Sequence, residues 1–140
     1  MTSNSYDKGS DRERELMKLL ETEDYAVVRS AGSGTGGLKY NGEQREQPDV
    51  IAGNGNRLLA MESKSCGGKV LYIKKDNWED LTIFAEQFGA EPYIAVRFDA
   101  KDFFFFKRED FHETSKSLRI KKEKLEEKGM KLDEIINNND

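Results

Sequence analysis

Near the middle of the chain, Gly53-Asn54-Gly55-Asn56 constrains the fold more than any other segment. An Asn-Gly pair is a strong local signal for a tight hairpin turn, because both residues tolerate the positive φ such turns need. Asp49–Ala52 and Arg57–Ser65 flank it, so the sequence predicts two antiparallel strands side by side. Side chains alternate along a strand. Leu58, Ala60, Glu62 and Lys64 therefore share one face, and Leu59, Met61 and Ser63 share the other. On the first face charge follows apolar residues toward the strand end.

The rest of the chain alternates helix and strand. A helix over about residues 11–23 has capping-box spacing at Ser10 and Glu13 and an apolar stripe of Leu16, Leu19 and Leu20. Tyr25–Val28 reads as a strand. Residues 32–48 begin rich in glycine, show no periodicity and read as a mobile loop. After Gly67-Gly68, extended structure resumes at Val70–Ile73, and Asp76 is expected to cap a helix over 77–88 that Gly89 ends. Tyr93–Phe98 and Phe103–Lys107 form another strand pair joined by Asp99–Asp102, then comes an extended piece at Leu118–Ile120 and a weak helix broken by Gly129. This is a mixed α/β pattern in one domain over residues 1–140, with 1–7 and 137–140 expected to fray.

Trp78, Leu81, Phe84, Ala85 and Phe88 fall at helical spacing, which fits either core or an exposed seam. Phe103–Phe106 sends two rings to each face of its strand. One face is core, and the other needs cover from the C-terminal segment or a partner.

Composition excludes several chemistries. One cysteine, Cys66, and one histidine, His112, permit neither an internal disulfide nor a cysteine-rich zinc site. No stretch approaches the roughly 18 apolar residues a membrane helix needs, and Met1–Glu15 carries no apolar leader segment. No membrane association and a reducing cytoplasm are expected. The formal net charge of −4 argues against a general polyanion binder, but local distribution decides such binding. Seven basic residues against three acidic ones lie between Lys116 and Lys131, which reads as a solvated helix face or a basic surface.

The candidate chemistry sits on the hairpin. Pro48-Asp49 opens one strand, and Glu62-Ser63-Lys64 ends the other with twelve residues between Asp49 and Glu62. Pairing lets the two carboxylates converge. A carboxylate pair without histidine suits a hard divalent cation such as Mg2+ or Mn2+. Lys64, on the face of Glu62, can place an ammonium beside the same point. A cation that polarises phosphate and acidifies water, with a lysine to balance developing charge, is what phosphodiester hydrolysis requires.

These residues resemble the PD-(D/E)xK nuclease superfamily, and within it the archaeal Holliday junction resolvases. The matching segments are Lys8–Leu16, Ala26–Gly34, Pro48–Gly55, Glu62–Ser65 and Phe84–Ala90, in order, with weaker similarity through Tyr93–Phe98 and Leu118–Lys122. The resemblance implies a restriction-endonuclease-like fold, a central mixed β-sheet flanked by helices. It implies Glu13, Asp49 and Glu62 as metal carboxylates, Lys64 as the catalytic lysine and Ser33 as an active-site serine. Arg14 and Arg29 correspond to residues tied to activity and DNA contact, and Phe84 and Phe88 to aromatics of a dimer interface. A homodimer making paired nicks in four-way DNA is the implied assembly, and recruitment by a sliding clamp stays open.

The chain departs from the pattern in two places. Leu38-Lys39-Tyr40 has no evident counterpart, and the stretch after Lys64 is less basic than in some relatives, so Lys69, Lys74 and Lys75 are expected to carry more of the DNA contact. The alternatives are a restriction-type endonuclease of the same superfamily and a junction-binding protein without catalysis. The intact Glu13, Asp49, Glu62 and Lys64 oppose the latter.

Overall fold

The computed structural model describes the backbone of residues 5–30, 37–98 and 102–137, with side chains from Asp11 onward. Its centre is the expected hairpin. β4 (Val50–Gly53) and β5 (Leu58–Cys66) pair antiparallel, Val50 opposite Met61 and Gly53 opposite Leu58. The turn is four residues long. Gly55 supplies its φ of 93°, and the Asn54 Oδ1 accepts the Asn56 and Arg57 N–H groups at 2.8 and 2.7 Å.

β1 (Ala26–Arg29) pairs antiparallel with the outer side of β4. On the other side, β5 runs parallel to β7 (Glu91–Phe98), and β7 pairs antiparallel with β8 (Phe103–Phe106). The sheet order is β1-β4-β5-β7-β8, a mixed five-stranded sheet. A parallel pair needs a crossover. Here β6 (Val70–Lys74) and helix α2 (Lys75–Phe88) supply it.

Both faces of this sheet are covered, which is why β5 is apolar at consecutive positions Leu59, Ala60 and Met61. On one face lie Leu16 and Leu20 of α1 (Ser5–Thr22), with Ile135 of α4 (Leu132–Ile136). On the other lie Trp78, Leu81, Phe84 and Ala85 of α2. Beside α2 packs a three-stranded sheet of β6, β10 (Ser117–Lys121) and β9 (His112–Glu113), and Leu125 of α3 (Leu125–Lys128) closes that layer. The four phenylalanines of β8 are all buried, Phe103 and Phe105 in the α1 layer, Phe104 and Phe106 in the α2 layer. Burial of each ring contributes about 1.5–3 kcal/mol. The C-terminal segment closes the open edge of β8 and adds Ile135 and Ile136 to the α1 face. Met130 exchanges backbone hydrogen bonds with Phe105, and this approach needs Gly129, where a Cβ would lie 2.8 Å from the Phe104 Cβ.

Several expectations are corrected. α1 begins at Ser5, so residues 5–7 are helical and the helix backbone runs straight through Ser10. Asp76 sits in the first turn of α2, whose N-cap is Lys74. Gly89 ends α2 as expected, its N–H meeting the Ala85 carbonyl. Part of the 32–48 segment is an ordered hairpin. β2 (Lys39–Tyr40) and β3 (Glu43–Gln44) join through Asn41-Gly42, with φ of 51° and 78°. This is the same Asn-Gly signal as in the main hairpin. Leu38 is buried, and the Arg45 guanidinium reaches Glu79 and Asp80 of α2 at 3.1 Å each, fastening the hairpin to the core. Residues 31–36 and most of the Asp99–Asp102 turn lie outside the described residues.

Candidate metal centre

Four elements meet at one end of the β4–β5 pair. Asp49 directly precedes β4, and Ala60, Glu62 and Cys66 follow the β5 alternation on the α2 side. The backbone fixes Asp49 twice. Its Oδ2 accepts the Ser63 N–H at 2.8 Å, and its carbonyl accepts the Ser30 N–H at 2.9 Å. These bonds turn the Asp49 carboxylate toward β5, where it reaches Glu62. Burial, and then the Asp49 carboxylate beside it, hold the Glu62 carboxyl well above the usual carboxylate range. The Lys64 charge acts in the opposite direction.

Glu13 arrives from α1. It extends the Leu16/Leu20 stripe by one turn, so it faces the sheet where the apolar stripe has ended. Arg29, the last residue of β1, holds Glu13 Oε1 at 3.0 Å through Nε. Burial, followed by the charge of Asp49, raises the Glu13 carboxyl above its ordinary value, while Arg29 and Arg12 act against that rise. Asp49 is thus within electrostatic reach of both glutamates.

A clamp holds this arrangement. Arg12 donates through Nε to Ser63 Oγ at 2.8 Å, and through its terminal nitrogens to Ser65 Oγ at 3.0 Å and the Ser63 carbonyl at 3.3 Å. One guanidinium therefore ties α1 to the strand that carries Glu62 and Lys64. Arg97 of β7 adds a second tie to α1 through Glu15. Sequence reading missed both roles, because an arginine on a helix or strand has the signature of a solvated surface. The visible signal was the Ser-x-Ser spacing around Lys64.

The other predicted site residues separate into groups. Arg14 is exposed, with Asp11 3.7 Å away. Lys74 is exposed on β6, Lys75 is paired with Glu113 at 2.8 Å, and Lys69 lies in a basic depression beyond β5. Ser33 lies outside the described residues. Phe84 is only 8% exposed, packed in the core of its own chain, while Phe88 is 48% exposed with its ring stacked on Phe84 at 5.1 Å.

Among the described residues, no three His, Cys, Asp or Glu side chains form a ready metal cluster. The Asp49–Glu62 pair nevertheless fits a divalent ion. It is all oxygen and half-buried, and burial together with the Asp49 charge raises the cost of ionising Glu62, which a cation relieves.

A mixed sheet covered by helices, with an acidic pair and a lysine on adjoining strands of one hairpin, defines the restriction-endonuclease-like class. Within it, the chain belongs to the archaeal Holliday junction resolvase family, whose sequence profile matches residues 4–140. It is 40% identical over 99 residues to the crossover junction endodeoxyribonuclease Hjc of Methanocaldococcus jannaschii, covering 71% of this chain and 65% of that one. It is 36% identical to Hjc of Archaeoglobus fulgidus, covering 81% and 78%. The solved structure of Archaeoglobus fulgidus Hjc, described as a Holliday junction resolvase from an archaeal hyperthermophile, superposes with a TM-score of 0.76 at 31% identity, over 91% of this chain and 94% of that one. No helix among the described residues is long and apolar enough to cross a membrane.

Proposed function

We propose that this protein is a structure-selective endonuclease that resolves four-way DNA junctions by paired, Mg2+-dependent phosphodiester hydrolysis, acting as a cytoplasmic homodimer. The half-buried Asp49–Glu62 pair with Lys64 two positions along the same strand carries this reading. The relatives named crossover junction endodeoxyribonuclease support it. Asp49, Glu62 and Glu13 would hold Mg2+, or Mn2+ in its place. When bound, the ion polarises the scissile phosphate and acidifies the attacking water.

The chain's own groups supply the rest. The Ser63 N–H keeps Asp49 in one orientation, and the Arg12 clamp fixes the strand position of Glu62 and Lys64. Lys64 provides an ammonium where negative charge develops on phosphate. The measurement that tests the reading is cleavage of a four-way junction against linear duplex of the same sequence, with and without Mg2+. Cleavage confined to the junction and dependent on Mg2+ is expected. Equal cutting of duplex would favour a restriction-type enzyme, and binding without cutting a junction-binding protein.

Paired nicks need two active sites at fixed spacing, which a C2 dimer provides. Phe88 is the exposed aromatic of α2 suited to such a seam. Phe88→Asp should shift sedimentation to the monomer and reduce paired cutting, because a carboxylate at the seam would be buried unpaired. Phe84→Asp should instead unfold the chain. A Phe88→Asp protein that stays dimeric would move the seam elsewhere.

A further inference from the structure

The basic run from Lys116 to Lys131 takes no part in the metal centre. The fold distributes it over β10, a 3-10 turn at Lys122–Lys124 and α3. Alternation along β10 sends Leu118 and Ile120 into the core and Arg119 and Lys121 outward. The Lys122 N–H donates to the Lys69 carbonyl at 2.8 Å, fastening the end of β10 to the loop that follows β5.

Two depressions open at this junction, and Lys121 lines both. The first, of about 750 Å³, is lined by Lys69, Lys121, Lys122 and Phe98, together with Glu123 and Glu126. The Lys122 ammonium lies 5.9 Å from the centre of the Phe98 ring. The second, of about 270 Å³, gathers Arg119, Lys121, Lys124 and Lys128 around His112, with Asp110 as its one acid. The Asp110 carboxylate already accepts the Lys107 N–H at 2.8 Å, and Glu127 pairs with Lys124 at 3.2 Å on the exposed side.

The first depression begins beside the catalytic strand. In the parallel β5–β7 pair, Lys64 is opposite Val96 and Cys66 opposite Phe98, so Phe98 lies one pleat repeat beyond Lys64. The cations therefore continue outward from the candidate metal centre. A chain of net charge −4 repels DNA over most of its surface, so a local concentration of cations decides where a polyanion can lie. Five of the six cations are lysines, point charges suited to phosphate contacts that are independent of sequence.

We propose that Lys69, Lys121, Lys122, Arg119, Lys124 and Lys128 form one track that carries the phosphate backbone of a duplex arm leaving the catalytic edge. This rests on the reading that the substrate is junction DNA. The test uses the full chain without Mg2+, titrated by fluorescence anisotropy with a four-way junction and with linear duplex across a range of salt. Lys121→Gln/Lys124→Gln/Lys128→Gln is compared with Lys18→Gln/Lys39→Gln/Lys116→Gln, which makes the same charge change at exposed sites off the track. Each phosphate contact contributes about 0.9 to the slope of log K against log salt. The track variant should lose about 3 from that slope and bind at least about tenfold more weakly at moderate salt. The control should lose far less, and Arg119→Gln alone should lower the slope by about 1. If the two triple variants behave alike while wild type binds and cleaves junctions, the track is overturned and the substrate reading stands. Wild type that binds neither DNA overturns both.

Discussion

Asp49→Asn and Glu62→Gln should each abolish junction cleavage while leaving junction binding within about threefold of wild type. The amides keep the shape of the site and remove the charge that would hold a divalent ion. Loss of such an ion removes several kcal/mol of transition-state stabilisation, and each 1.4 kcal/mol is about tenfold, so the rate should fall by at least about a thousandfold. A second readout separates lost metal from lost fold. Burial and the Asp49 charge disfavour ionised Glu62 in the metal-free protein. Glu62→Gln should therefore raise the metal-free melting temperature, by about 3 °C or more, and Mg2+ should no longer raise it further. Mg2+-supported cleavage within about tenfold of wild type in either variant would remove Asp49 and Glu62 from the metal centre.

What the sequence made legible follows from the range over which its signals act. The Asn54-Gly55 turn fixes register locally, and register alone brings Asp49 to Glu62 and sets Lys64 on the same face. The helical stripe of α2 and its end at Gly89 are equally local. Signals that compete with tertiary structure misled. Ser10 has the spacing of a cap, yet the helix continues through it. Phe84 and Phe88 look equivalent at helical spacing, and only the packing of α2 into the core makes one buried and leaves the other, at the helix end, exposed. Residues 32–48 read as structureless because their order depends on long-range anchors, the Arg45 pairs to Glu79 and Asp80 and the burial of Leu38. The Arg12 clamp was invisible for the same reason. Its partners, Ser63 and Ser65, stand more than fifty positions away. The basic run could be counted in sequence, but its union with Lys69 required the backbone bond from Lys122 to that residue.

Lys64→Ala should retain DNA binding and Mg2+ binding within a few-fold but lose at least about a hundredfold in single-turnover cleavage, the scale of removing one preorganised group from a developing oxyanion. The argument rests on placement. Lys64 lies two residues beyond Glu62 on the same strand face, and its charge is the chief favourable influence on the Glu62 carboxylate. The Arg12 bonds to Ser63 and Ser65 fix the strand on either side of it, so the ammonium has little freedom to be replaced by a neighbour. Lys64→Arg is the sharper experiment. Guanidinium keeps the positive charge but spreads it over a planar fork with a different reach and hydration, so it cannot occupy the point that a compact ammonium fills. The arginine variant should therefore bind junctions as well as wild type and remain within about tenfold of the alanine variant in rate. Recovery of wild-type turnover by arginine would show that Lys64 contributes only general positive potential. Catalysis would then depend on the carboxylate pair alone.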